Sequence, residues 1–547
     1  MSALEQTFVT EPAWPIKTWQ SLQRKVGWLG LLATGIVAIA AVPLLFVLYS
    51  SSQLSLDGWQ SLWSERLPEL LWNTLSLAVL VAIGSFALGV SSAWLIARRQ
   101  FAGRCLAIWL MVLPLTIPTY VFAHIYTIMF EDDGWIGSIW LAVFGNTVAI
   151  PDLYSIGGVT FILSIAGFSY VFLLVSSALE HSNPSLEEAA RIQGLSPLQV
   201  FWHVNLPLLR PAIAAGLALV VLHVLSDFGA VSMLRYQTFT LSIYLQMEGR
   251  FDYQGAAGLS LVLVFLSLAF LVMERYSRRR QRYYATGTQQ RRVSRRRATT
   301  TELGMIWTWL GLITLFAFLL PLAWMLEWSW QAWQDDVLDA TFWGYVSNSL
   351  LVAAGAATIA IIAAFPVAFF HTRKRSTLST SYIQLSSIGF VLPGPVIALG
   401  ILSFILVVLA PLYGGMTALL MALVIRFLPL ALQSQEASLQ HLTPSIEQAG
   451  RILGAGPLEN LRRVVLPMIS NGMIVAWVLV FIDALKELPA TLILRPTGFD
   501  TLPVRIWIEA SEESLELAAP AALMLVVGTL PALWLMMRNN RQSGSSE

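Results

Sequence analysis

Two pairs of ionisable residues stand inside otherwise apolar stretches: His223 with Asp227, and Asp483 with Glu487. Each pair is spaced i, i+4, which on a helix puts both members on one face. Each residue lies 260 positions from its counterpart. An ionisable group in a bilayer-spanning segment costs about 2.5–3.5 kcal/mol on insertion scales, so each is a candidate for function. Two readings are open. The four residues line a weakly cation-attracting route between two similar halves, where transporters place their sites. Alternatively, Asp227 caps backbone groups while Lys486 and Arg426 neutralise Asp483 and Glu487. Other chemistry is sparse. No G-x-x-x-x-G-K-[ST] phosphate loop occurs, and the dipeptide Gly-Lys is missing altogether. The six His are scattered, with His124 and His223 in apolar runs and His181, His203, His371 and His441 near their edges. None has metal-site or triad spacing, so no catalytic residue, metal or cofactor is expected.

The elements that must position these residues are long apolar runs. Of 547 residues, 56% are apolar and 12% charged, and mean hydropathy is +0.68. That is about half the charged share of a soluble domain. A single cysteine, Cys105, excludes an internal disulfide. A helix needs about 20 apolar residues to cross a bilayer, and twelve stretches qualify. They are roughly 28–50, 70–97, 106–130, 155–179, 211–231, 256–273, 304–326, 347–370, 382–410, 416–435, 468–490 and 518–537. Barrel strands would alternate instead, so the expected fold is all-α and polytopic. With the N-terminus inside, the inside segments hold 26 of the 33 Lys and Arg and the outside loops hold 5. Positive charge is retained on the cytoplasmic side, which places both termini there. The first run is read as an uncleaved span.

The halves carry an internal repeat. NPSLEEAARIQGLSPLQVFWHVNLPLLRPA, residues 183–212, aligns without a gap on TPSIEQAGRILGAGPLENLRRVVLPMISNG, residues 443–472. Fainter likeness links Asn73, Thr74 and Leu75 to Asn348, Ser349 and Leu350, and Leu113–Pro114 to Leu392–Pro393. The expected units are a first repeat over 1–274, an Arg-rich linker over 275–303 and a second repeat over 304–547. Each shared segment should form a short helix begun by a capping residue and Pro and ended by Gly194 or Gly454. A second short helix should begin three residues on, and Pro207 or Pro467 should mark entry to the next span. The linker holds ten Arg between Arg275 and Arg297 and no acid among them. It reads as a tether near anionic lipid rather than a nucleic-acid site.

The sequence Glu188, Ala189, Ala190, Gly194, followed by Val204, Leu206 and Pro207, resembles the EAA loop of permease subunits of binding-protein-dependent ABC importers. The second copy has Gln448 and Gly450 at two of these positions but keeps Glu447. The resemblance implies a type I importer permease of two pseudo-symmetric six-helix halves in a bacterial inner membrane. A cytoplasmic ATPase dimer would dock on the loops and a substrate-binding protein on the outer side. ATPase coupling would involve Glu187, Glu188, Ala189, Ala190, Gly194 and Leu198 in the first loop, and Glu447, Ala449, Gly454 and Leu458 in the second. LPLTIPTYV at 113–121, SDFGAVSMLRYQTFTLSIYLQ at 226–246 and KELPATLILRPTGFDTLPVRIW at 486–507 resemble the fused permeases of ferric-ion importers. Fused thiamine permeases share the architecture. Major-facilitator carriers also have twelve spans and a basic central loop, and Arg98, Arg99, Gly103 and Arg104 faintly resemble their short basic loop, but they have no paired EAA loops.

Overall fold

The computed structural model describes residues 14–180, 187, 189–190, 192–279, 296–390, 392–512 and 515–543. Ten of its helices are long and apolar enough to cross a bilayer, and two sharply bent helix pairs bring the number to twelve. In chain order the second span is Leu67–Arg98, the fourth Ile156–Glu180, the fifth Phe201–Ser226, the eighth Ala340–Arg373, the tenth Met416–Gln440 and the eleventh Pro457–Leu485. Among the described residues the only β structure is a parallel pair of two-residue strands, Arg99–Gln100 with Arg296–Arg297. This pair joins the end of the second span to the end of the linker.

The third and ninth elements correct the expected pattern of continuous spans. The runs at 106–130 and 382–410 are each broken. Arg104–Thr116 meets Thr119–Met129 at 93°, and Thr377–Gly389 meets Gly394–Val408 at 104°. Pro118 forces the break in the first case: it has no N–H to donate and drives Ile117 into extended backbone, φ −92° and ψ 120°. Pro393 and Pro395 stand at the second break. Apolar composition carries no signal for a turn made inside the bundle.

The loop segments also differ from the expected pair of separate short helices. The second copy does form Pro444–Ile452, and Gly454 follows in the left-handed region at φ +90°, as does Gly194 at +86°. Leu195 N–H donates to Ala190 O at 3.2 Å and Ala455 N–H to Gly450 O at 3.1 Å, the bonds of a glycine-terminated helix. The helices starting at Pro197 and Pro457, however, run on into the fifth and eleventh spans. Each passes through a π turn, Phe201–Asn205 or Leu461–Val465, just before Leu-Pro. A proline cannot donate to the carbonyl four residues back, and the wider turn accommodates it. Leu315–Leu319 does the same ahead of Pro321.

The first span, within Trp14–Ser52, packs on the sixth, Tyr253–Met273, in its own half and on the eighth and ninth in the other. The seventh, Thr300–Gln334, packs on the third and the twelfth. Each opening helix therefore touches both halves. Hydroxyls of Thr34 and Tyr382 lie 2.6 Å apart, and Trp309 Nε1 donates to Ser91 Oγ at 3.0 Å across the same division. At Gly400 a Cβ would stand 2.5 Å from Pro43 Cα in the first span. Gly400→Ala should therefore cost about 1–3 kcal/mol through overpacking and lower the detergent melting temperature. Gly304→Ala, in an exposed helical site with nothing within 4 Å, should not lower it.

Candidate functional site

Where the broken third and ninth elements approach the ends of the fifth and eleventh spans, a cavity of about 420 Å³ opens between the halves. Its polar wall comes from Thr119, His223 and Asp227 on one side and Arg426, Asp483, Lys486 and Glu487 on the other. The helices end at Ser226 and Leu485, so each acid stands past its helix rather than on the helical face that carries His223 or Asp483. Asp227 instead turns to the next short helix, Gly229–Met233. Its Oδ1 accepts from the amides of Ala230 at 3.0 Å and Val231 at 3.4 Å, and its Oδ2 from the Thr119 hydroxyl at 2.6 Å. Glu487 caps Pro489–Leu494 in the same way, accepting from the amides of Ala490 at 3.1 Å and Thr491 at 3.2 Å. Both carboxylates are buried, at 6% and 5% exposure. A helix start carries unpaired N–H groups and partial positive charge, which an acid satisfies.

The partners of the two caps differ. Glu487 faces Arg426 Nε at 3.7 Å, and Gly394 leaves room for this pair, since a Cβ there would meet Arg426 Nη1 at 2.7 Å and Glu487 Oε1 at 2.9 Å. Lys486 lies 3.6 Å from Asp483 and donates from Nζ to Leu115 O at 3.0 Å. That carbonyl belongs to the tight turn ahead of Pro118 in the other half, so one lysine ties the halves together across the cavity. Its counterpart 260 residues earlier is Ser226, which bonds only locally to His223 O at 3.1 Å. The tie is one-sided. Among the described residues no three His, Cys, Asp or Glu side chains gather as a metal-binding group.

The faint repeat around residue 73 has a structural cause. Asn73 donates to Gln237 O at 3.1 Å and Asn348 to Asp500 O at 3.0 Å, while Thr74 and Ser349 accept from the amides of Phe239 and Leu502. The second and eighth spans thereby hold the segments that follow each capped helix.

In the loops, Glu187 and Glu447 point inward. Glu187 pairs with Arg98 and Glu447 with Arg373, the last residues of the second and eighth spans. Neither arginine was found by the repeat, because their offset is 275 rather than 260. Ala189 and Ala449 are exposed and Ala190 is buried. Ile192, Ile452, Leu453 and Leu458 present apolar side chains outward, between 69% and 87% exposed. Glu188 and the side chain of Leu198 lie outside the described residues. The departure at Gly450 is compensated. A Cβ there would meet Asn460 Oδ1 at 2.4 Å, and Asn460 donates to Glu447 O at 3.0 Å. In the first copy the same two positions hold Ala190 and Val200, both buried.

Twelve apolar helical elements in two related halves, with a polar cavity between them and a matched loop in each, make up a multi-pass membrane transport component. The chain belongs to the family of binding-protein-dependent transport system inner membrane components, whose model matches residues 85–283 and 356–542. It thus has the type I fold of ABC importer permeases. It is 31% identical over 510 residues to the Fe(3+)-transport system permease protein FbpB 2 of Haemophilus influenzae, covering 91% of this chain and 96% of that one. The ferric transport system permease protein FbpB of Actinobacillus pleuropneumoniae is 24% identical, over 83% of this chain and 69% of its own. The sulfate transport system permease protein CysT of Escherichia coli is 30% identical, with 44% of this chain covering 88% of it.

The Gly450–Asn460 fit yields a double-mutant prediction. Gly450→Ala should destabilise the second loop by about 1–3 kcal/mol. Asn460→Val in the same chain, which recreates the first copy's pair, should restore most of it. Protease sensitivity of the loop in the two variants measures the coupling.

Proposed function

We propose that this chain is the permease of a ferric-ion importer of a bacterial inner membrane. In this reading it takes cargo from an outer binding protein and releases it to the cytoplasm, driven by a separate ATPase dimer. The observation that carries the cargo assignment is the likeness to a ferric-ion permease along almost the full length of both chains. The repeats are taken as 1–274 and 304–547, joined by the linker at 275–303. The sidedness of Lys and Arg supports cytoplasmic termini and loops. In that orientation the two loops offer the ATPase a matched pair of surfaces, each with exposed apolar residues such as Ile192 and Ile452. The 183–212 and 443–472 segments are the coupling elements, one per ATPase subunit.

The route runs through the cavity between the halves, which rock so that it opens to alternate sides. His223 and Asp483 are its polar lining. Asp227 and Glu487 shape it, since their carboxylates are engaged as helix caps. Energy arrives from the partner, because no phosphate loop stands in the sequence.

Reconstitution with the ATPase and the binding protein in liposomes tests this. Labelled ferric ion should accumulate only when ATP is present. Uptake of sulfate or thiamine in its place would overturn the cargo, and uptake driven by an ion gradient alone would overturn the class. In the same system Gly194→Pro or Gly454→Pro puts a fixed negative φ where the backbone needs a positive one. Coupling factors between linked sites are commonly about 5–150-fold, so cargo moved per ATP should fall by about fivefold or more. Insertion should be unchanged, as judged by the amount of protein in the membrane.

A further inference from the structure

Each loop is covalently hung between two spans through turns, and covalent connection alone does not fix how the loop helix sits under the bundle. The structure assigns that task to one buried arginine in each half. We propose that Arg98 and Arg373 are positioning residues, each knotting its loop to the ends of two spans at a single guanidinium. The proposal rests on the reading of the loops as ATPase-coupling elements.

Three facts carry it. Arg98 is the last residue of the second span, and Arg373 holds the same place in the eighth. Each pairs with the acid in its loop helix, Glu187 or Glu447, and the side chains of both pairs are only 6–16% exposed. Each also donates to a carbonyl at the end of the span that leads into the loop: Arg98 Nη1 to Leu179 O at 3.5 Å, Arg373 Nη1 to Leu442 O at 3.2 Å. A planar guanidinium, with donors on several edges, can serve such a carbonyl and a carboxylate together, which an ammonium does less well. The second span, the end of the fourth and the loop helix therefore meet at Arg98. The eighth span, the end of the tenth and the other loop helix meet at Arg373.

The same junction occurs twice with different neighbours, Ala190 and Val200 in one loop and Gly450 and Asn460 in the other. A pair kept only to fill space would not need the same charges in both settings. A loop held this way moves with the second or eighth span as one body. Those spans pack along the fourth and fifth, or the tenth and eleventh, which lead to the cavity. Displacement of the loop by an ATPase would then reach the cavity walls through packed helices rather than through the chain connection alone.

The assembled importer, with its ATPase and binding protein in liposomes, provides the test. Arg98→Met with Glu187→Gln, and Arg373→Met with Glu447→Gln, remove each junction without leaving an unpaired buried charge, so assembly should survive. ATP hydrolysis should persist while cargo moved per ATP falls at least about tenfold, within the usual range of coupling between sites. A spin label on Ile192→Cys or Ile452→Cys, in a Cys105→Ser background, should become more mobile. Arg98→Lys and Arg373→Lys keep the charge pair, and coupling recovered to within about threefold of native would place the effect in contact with the loop acid. Native coupling together with native label mobility in the neutral pairs would overturn the proposal. If Gly194→Pro and Gly454→Pro also left coupling intact, the docking reading itself would fall. If those two uncouple and the neutral pairs do not, only the arginine junctions are refuted.

Discussion

A backbone that turns inside an apolar bundle must find partners for the amides and carbonyls it frees, because no bulk water is there to take them. The rest of this structure depends on that constraint. The third and ninth elements are broken by proline, and the fifth and eleventh spans end against them. Asp227 and Glu487 close the account of free amides at the short helices that follow, and Lys486 takes up the Leu115 carbonyl left at the first break. The cavity between the halves opens beside these turns, and Asp227, Glu487 and Lys486 in its wall are engaged by them.

The two halves meet this constraint by related means with unequal parts. Asp227 is supported by the hydroxyl of Thr119, whereas the longer Glu487 is supported by Arg426, for which Gly394 makes room. Lys486 bridges the halves from one side only, since Ser226 is too short to do so from the other. A polar tie in an apolar setting is strong when made and costly when left open, so a single lysine there biases which arrangements of the halves are comfortable. The loops show the same freedom of detail: Gly450 with Asn460 replaces Ala190 with Val200, and the inward acid and its arginine are kept.

Interlacing of the opening helices adds a second level of organisation. The first span packs on the sixth of its own half as well as on the eighth and ninth, and the seventh packs mainly on the twelfth of its own half and also on the third, with Gly400 permitting backbone contact at Pro43. Neither half is a closed body in the folded chain. Motion of one relative to the other must slide along these shared helices, and the Thr34–Tyr382 and Trp309–Ser91 contacts lie on that path.

Local chemistry made much of this legible in advance. The apolar runs, the paired loops, the glycine turns at Gly194 and Gly454 and the capping role of Asp227 follow from residue types at fixed spacings, because such features act over one or two turns of chain. Neutralisation of Asp483 and Glu487 by Lys486 and Arg426 was one of two readings the sequence left open, and the structure pairs Glu487 with Arg426 and Lys486 with Asp483. The sharp breaks at Ile117–Pro118 and between Gly389 and Gly394 were not legible, since hydropathy averages over direction and a bent helix is as apolar as a straight one. Nor were Arg98 and Arg373, whose partners lie 89 and 74 residues away, or the reach of Lys486 to a backbone carbonyl, which no side-chain pattern encodes. Tertiary structure alone decided these, because it sets which freed backbone group and which buried charge come within hydrogen-bonding distance.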